Sequence, residues 1–301
     1  MKFDRAKPET QAKKAMKVIV AKGLCLSVGT NRNYAACLAH VTQFVQENKL
    51  GDLRQISRET SEAFLHSKRE LYSQKTLDMH RQALQMHLEA QGRLNHGEKL
   101  EIVKSAIKTK LEHRAYTSKQ VSLVANAQND RNAFSTILAH SCGLRAHELL
   151  TLRPLQDQPA TERHYEDGSL KSLPSKWEGR EVGVPYSVVG KGGLIREVRV
   201  PVELAKKLEE KRLETPLRVR DRNVFYTSYY DVAGGKAWSN SFSAASTRAL
   251  GWSTGAHGLR HSYAQERMRE LQKFVTYEVA LETVSQEMGH FREEITEVYL
   301  R

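Results

Sequence analysis

One stretch limits the folds open to this chain more than any other: residues 181–200, EVGVPYSVVGKGGLIREVRV. Residues 181–189 read as a strand, Gly190-Lys191-Gly192-Gly193 as a tight turn, and residues 194–200 alternate as a half-buried strand does. Glycines at such a turn supply the positive φ that closes a hairpin. Elsewhere the apolar residues recur at intervals of three and four, the helical period. The expected class is therefore mainly α with a small β-hairpin or sheet, an α+β protein.

The 301 residues suffice for about two domains. A compact helical module is expected over 1–95, with helices at 11–24, from a Thr30 N-cap through Val45, at 58–71 and at 74–92. Residues 96–114 are polar and mixed in charge and read as a linker to a second domain at 115–301. That domain opens with a helix capped by Thr117 or Ser118, followed by one carrying Phe134 and Leu138 that ends at Cys142-Gly143. GLRAHELLTLRP then reads as a helix bearing Arg145, Glu148, Leu149 and Leu152, closed by Pro154. Residues 159–179 read as a long polar surface loop, 201–213 as a helix and 224–226 as a short extended piece. A helix with Phe242, Ala245 and Leu250 leads into the C-terminal segment.

A net charge of +12 points to a polyanionic partner, of which nucleic acid is the commonest. Lys13, Lys14, Lys17, Lys22 and Arg32 are the candidate DNA contacts of the helical module. Three cysteines without Cys-x-x-Cys spacing suggest neither a disulfide framework nor a zinc site, and read as reduced thiols. No apolar run is long enough to span a bilayer, and no apolar segment follows the charged N-terminus as in a signal peptide. The expected location is cytoplasmic, at the nucleoid, with no membrane partner, no metal and no cofactor.

Chemistry concentrates in the last segment. His257 and Arg260, three apart, place an imidazole and a guanidinium on one helical face, a pairing suited to gripping a phosphate. A tyrosine could then attack that phosphate. Taken singly, each short motif is more often structural. Their order is far more specific: GLRAHELLTL, then VVGKGGLIREVRVP, then HGLRHSYA, then Met288-Gly289-His290, then Tyr299 nine residues on. This succession resembles the tyrosine recombinase (phage integrase-like) family across residues 115–301, with the helical module in the place of that family's DNA-clamping domain.

The resemblance implies roles residue by residue. Arg145 and Arg260 correspond to the two phosphate-binding arginines, Lys191 to the hairpin lysine, and His257 to the first histidine of His-x-x-Arg. His290 falls on a position that is His or Trp in the family, Tyr299 on the nucleophile, and Glu148 on an acidic position that supports the first arginine. It further implies a site-specific DNA recombinase or integrase that cleaves and rejoins DNA through a 3′-phosphotyrosine, for integration or excision of a mobile element. The partners implied are a double-stranded recombination site, a homo-tetramer assembled on it, and an accessory DNA-bending protein. Alternatives are relaxation of supercoils in the manner of a type IB topoisomerase, and a DNA-binding relative without catalysis. Family members continue beyond the tyrosine with a segment that docks on the next protomer. Here Tyr299 is followed by Leu300 and Arg301, so either the sequence is truncated or the coupling is made differently. Other residues read as structural: His261 as packing or DNA backbone contact on another helix face, His80 and His87 as a solvated or packed surface. Tyr263, Tyr277 and the Tyr226/Tyr229/Tyr230 cluster lack the spacing of the nucleophile and read as core or stacking residues.

Overall fold

The computed structural model describes residues 4–95, 97–108, 112–164, 173, 176–290 and 293–301. The chain divides into two compact units, Met1–Lys110 and Leu111–Arg301.

The first unit holds helices α1 (Pro8–Ala21), α2 (Val28–Glu47), α3 (Arg58–Ser67) and α4 (Gln74–Ala90). Its core forms where Ile19, Leu38, Val41, Val45, Phe64, Leu84 and Leu88 converge, all fully buried. Burying each such side chain contributes about 1.5–3 kcal/mol relative to leaving it in water. Two expectations shift. The α2 N-cap is Ser27, whose hydroxyl accepts from the Thr30 N–H, so Thr30 lies inside the first turn. Leu100 and Val103 belong to this core, and Ser105 donates to the Tyr72 carbonyl at 2.6 Å. Residues 97–108 thus pack on the first unit, and the linker read at 96–114 is shorter than expected; residues 96 and 109–111 lie outside the described residues. His80 and His87 are buried rather than solvated, each bonded to a backbone carbonyl, Thr76 and Leu53 respectively.

The second unit begins with α5 (Ser118–Asn126), closed at its start by a reciprocal capping box between Thr117 and Gln120. Then come α6 (Asp130–Cys142) and the strands β1 (Arg153–Pro154), β2 (Val184–Val189) and β3 (Ile195–Val200), which form a three-stranded antiparallel sheet in the order β1-β2-β3. The turn between β2 and β3 needs its glycines, since Gly192 and Gly193 have φ of 78° and 84°. After α7 (Val202–Glu209), β4 (Arg212–Asp221) and β5 (Val224–Tyr230) pair as a separate two-stranded ribbon. The helices α8 (Gly235–Leu250), α9 (Gly258–Leu271), α10 (Tyr277–Glu287) and α11 (Glu293–Glu297) complete the chain. Trp238, Phe242, Leu138, Val188 and Val200 anchor the main core, and α9 and α10 enclose a smaller one around Ala264, Leu271 and Val284.

Three expectations are corrected here. The segment after Gly143 is not a helix but a turn followed by a short 3-10 segment, Glu148–Thr151, and Pro154 sits in β1. The helix expected at 201–213 ends at Glu209, and β4 starts at Arg212. Most of 165–175 lies outside the described residues, yet Trp177, within the expected surface loop, is buried with its backbone N–H donating to the Glu287 carboxylate at 3.2 Å. Cys25, Cys37 and Cys142 are free and buried. Among the described residues no helix is long and apolar enough to cross a membrane.

Candidate active site

Gly143 starts the site. It caps α6 in the left-handed conformation, at φ 58° and ψ 39°, and turns the chain so that Arg145 and Glu148 follow at once. Glu148 is fully buried, and its carboxylate organises three guanidinium groups. Arg145 reaches Oε1 through Nη1 at 2.7 Å and Oε2 through its backbone N–H at 2.8 Å. Arg196 of β3 donates Nη2 to Oε2 at 2.7 Å, and Arg260 Nη1 lies 3.8 Å from the same oxygen. Burial alone would raise the Glu148 pKa, but Arg196, then Arg260 and Arg145, hold it well below the usual carboxylate range. Three cations on one anion leave this cluster with an excess of two positive charges.

Arg260 enters from the first turn of α9 and is inaccessible to solvent. Its Nη1 donates to the Gly143 carbonyl and its Nη2 to the Met288 carbonyl at 3.1 Å, while Nε has no partner among the described residues. Burial, followed by the charge of Arg145, lowers its pKa to about 10, still far above neutrality. Arg196 also ties the Gly143 carbonyl, at 3.2 Å, and the Glu287 carbonyl, at 2.7 Å, so one glycine carbonyl joins two of the arginines.

Tyr299 sits on the 3-10 turn Val298–Leu300 and is buried. Its hydroxyl lies 3.0 Å from His257 Nε2, positioned to donate to it. His257 as a residue is open to solvent on one side. Desolvation of its ring, then the charge of Arg260, nevertheless pushes its pKa down to about 3. The imidazole is therefore neutral at physiological pH with a lone pair free to accept a proton. Three imidazoles surround the phenol ring: His257 at 5.3 Å, His290 at 5.0 Å and His261 at 4.7 Å between centroids. The guanidinium carbon of Arg260 lies 5.7 Å from the same ring.

The site thus brings together Arg145, Glu148, His257, Arg260, His290 and Tyr299 of the residues expected from sequence. His290 is tied to Arg260. Arginine has no acceptor, so the 3.1 Å contact between Arg260 Nη2 and His290 Nε2 makes that nitrogen the acceptor. The ring's N–H then faces Thr296 Oγ1 at 3.4 Å rather than an incoming phosphate. Lys191 stands exposed at the hairpin tip; the root of that hairpin is closer, since a Cβ on Gly190 would lie 3.4 Å from Glu148 Oε1. Lys13, Lys14, Lys17, Lys22 and Arg32 are all exposed on the first unit. Two of them are engaged, Lys14 with Asp4 at 3.2 Å and Lys22 with the Ala90 carbonyl at 2.7 Å.

Sequence reasoning missed two contributors. Arg196 shares its strand face with Val198 and Val200, so a charge on the apolar side of an alternating strand was the available signal. His261 lies four residues after His257, the spacing that keeps two side chains on one helix face, and it packs on Tyr299 instead of pointing elsewhere. Two of the rival tyrosines are otherwise occupied: Tyr263 donates to Glu287 at 2.9 Å and Tyr230 to Glu209 at 2.8 Å. Among the described residues no group of three or more His, Cys, Asp or Glu is placed to hold a metal.

No family model and no curated protein matches this sequence. Solved structures do match. The site-specific recombinase XerH, bound to palindromic difH substrate in a post-cleavage complex, superposes with a TM-score of 0.60 at 14% identity, over 100% of this chain and 95% of that one. The lambda integrase tetramer bound to a Holliday junction gives 0.59 at 12% identity, over 99% and 78% of the two chains. The Tn1549 transposon integrase in complex with transposon right end DNA gives 0.57 at 11% identity, over 96% and 94%. The likeness is one of fold, spanning both units.

Proposed function

We propose that this chain, whose fold is that of the tyrosine recombinases, is a site-specific DNA recombinase that breaks and rejoins strands through a covalent bond to Tyr299. The observation that carries the reading is the Tyr299 hydroxyl held 3.0 Å from a neutral imidazole beside a cluster with excess positive charge. A buried tyrosine touching a proton acceptor and an anion site has what a nucleophile for a phosphodiester requires.

The chemistry follows atom by atom. Tyr299 Oη attacks the scissile phosphorus while its proton passes to His257 Nε2. Arg145 and Arg260 donate to the non-bridging oxygens as charge builds there, and each remains protonated throughout. The bond from phosphorus to the 5′ oxygen breaks, and Lys191, on the hairpin that the bound DNA would approach, supplies that oxygen with a proton. Arg196 and Glu148 act by holding the two phosphate-facing arginines, and His290 by fixing Arg260. The phosphotyrosine conserves the energy of the broken linkage, so a free 5′-hydroxyl can reverse the step without a nucleotide cofactor. Acquiring the proton beside Arg260 is unfavourable for His257 in the empty site. The anionic phosphate offsets that repulsion, which ties competence of the base to occupancy of the site.

The helical unit would contact the duplex through Lys13, Lys17 and Arg32, and a tetramer on a recombination site is the assembly that strand exchange needs. Integration or excision of a mobile element, aided by a DNA-bending protein, is the biological setting we assign. The test is covalent trapping: nicked duplexes from DNA flanking the gene, EDTA present, a detergent quench, and mapping of any DNA-linked peptide. A crosslink on Tyr299 that disappears in Tyr299→Phe, with duplex binding retained, is the expected outcome. A crosslink on another tyrosine would overturn the site assignment. Binding without any crosslink would favour a DNA-binding protein without catalysis, and relaxation of any supercoiled plasmid without site preference would favour a topoisomerase-like role.

A further inference from the structure

The ribbon β4–β5 takes no part in the site described above, and its two faces differ sharply. Residues alternate along it, so Tyr226, Ser228, Tyr230, Val219 and Asp221 face inward while Arg218, Arg220, Phe225 and Thr227 are exposed. The inward face is anchored. The Tyr226 ring meets that of His147, two residues past Arg145, at 6.1 Å, and the Asp221 carboxylate accepts the Lys236 N–H of α8 at 2.8 Å. Among the described residues nothing covers the outward face: Phe225 is 54% exposed, with the guanidinium carbon of Arg218 4.0 Å from its ring centroid and that of Arg220 at 5.9 Å.

The connecting turn adds a second observation. Arg222 and Asn223 have φ of 48° and 66°, the positive values that a two-residue hairpin turn of the primed type demands. Glycine or asparagine suits the first of these positions; arginine there is strained. Its Nε is held by Asp221 at 3.1 Å, which keeps a third arginine at the end of the ribbon. Arg218, Arg220 and Arg222 recur every second residue, about 6–7 Å apart along the strand direction. Among the described residues neither Arg218 nor Arg220 has a carboxylate partner.

We infer that the outward face of this ribbon, through Arg218, Arg220 and Arg222, is a duplex-DNA contact that extends the binding surface beyond the cleavage site. The inference rests on the proposed function, because the contact through His147 ties the ribbon to the loop that carries Arg145. A two-stranded ribbon has the width that the major groove admits, and fixed guanidinium groups match phosphate oxygens along its edge. A preorganised cationic row with an exposed aromatic fits a polyanion, whereas an acidic protein partner would leave the repeat spacing without purpose.

The experiment is a titration of a labelled mixed-sequence duplex with the full chain, by fluorescence anisotropy, over 50–200 mM salt. The variants are Arg218→Gln/Arg220→Gln and the charge-conserving Arg218→Lys/Arg220→Lys. Each phosphate contact contributes about 0.9 to the slope of log affinity against log salt, so the glutamine pair should flatten the slope by about 2 while the lysine pair preserves it. Thermal melting of both variants should match the parent, since these side chains are exposed. An unchanged slope and affinity in the glutamine pair would overturn the inference, and so would a loss that the lysine pair fails to rescue. The parent chain separates the two levels. If it binds the duplex steeply and crosslinks through Tyr299 while the glutamine pair behaves identically, only the ribbon contact fails. If the parent neither binds nor crosslinks, the proposed function fails and takes the ribbon contact with it.

Discussion

Replacing Glu148 with glutamine removes a single charge and almost no volume, and it tests how the site is built. In the parent, one buried carboxylate is shared by Arg145 at 2.7 Å, Arg196 at 2.7 Å and Arg260 at 3.8 Å. Glutamine can still accept from one guanidinium, but its amide group then points a donor at another, and three cations lose their common anion. Breaking a buried ion pair by removing one partner costs about 3–5 kcal/mol. Two of these arginines are themselves buried, so we expect the upper half of that range. For a unit of this size each kcal/mol moves the melting temperature by about 2–4 °C, so Glu148→Gln should melt roughly 8–20 °C below the parent. Cleavage in the trapping assay should fall by about 10²–10³, because the arginines lose their aim and not their charge. Acidity gives an independent check. The folded pKa of Glu148 lies below its unfolded value of 4.5, so its stabilisation is complete above that pH and is lost as the pH falls through the lowered folded value. The gap in melting temperature between parent and Glu148→Gln should accordingly narrow below pH 4.5 and stay constant above it. A variant that melts within about 2 °C of the parent and cleaves at its rate would refute the claim that this carboxylate organises the arginines.

Two further substitutions probe the surroundings. His261→Ala removes an imidazole packed 4.7 Å from the Tyr299 ring; such a pair is worth about 0.5–1.5 kcal/mol, so single-turnover cleavage should fall by roughly two- to tenfold at unchanged duplex affinity. His261→Phe should restore most of that rate, and a failure to do so would mean that the imidazole acts through its nitrogens instead. At Gly143, φ is 58° and a Cβ would sit 2.7 Å from the Tyr263 ring, which cannot retreat while its hydroxyl is bonded to Glu287. Gly143→Ala should therefore cost about 2–5 kcal/mol from the left-handed conformation and overpacking together, read as a lower melting temperature.

The architecture was legible wherever a local signal had a single physical meaning. The glycine turn at 190–193 could only close a hairpin, and the Thr117–Gln120 spacing could only begin a helix. Only the start of β5 was legible, because the ribbon's turn, Arg222-Asn223, carries no glycine, so the chain offered no punctuation after the arginine-rich β4. The GLRAHELLTL segment misled for another reason. Leu149, Leu150 and Leu152 are all buried, an apolar run that fits helical spacing, but the Glu148 carboxylate takes the Arg145 N–H and fixes a tight turn in place of a helical one.

The site shows the same division. Motif order pointed to Arg145, His257, Arg260, His290 and Tyr299; the folded chain sets His257, His290 and Arg260 around the Tyr299 phenol, and Arg145 on the carboxylate that Arg260 also faces. It did not identify what holds them, because Gly143 and Arg196 lie within the quoted motifs but carry no chemical role there that sequence alone reveals. Arg196 arrives from β3, and the Gly143 carbonyl receives both it and Arg260. His290, placed by the left-handed Gly289 at φ 69°, spends its lone pair on Arg260 instead of waiting for substrate. These ties hold three cations around one carboxylate in the absence of any substrate anion. Such an arrangement is stable only because each guanidinium is also bonded to the carboxylate or to a backbone carbonyl, and its surplus charge is what a phosphodiester would satisfy. The groups that sequence failed to reveal are therefore those that make the recognisable ones usable. A substitution among them should impair cleavage without touching any of the six residues to which a chemical role was assigned from sequence.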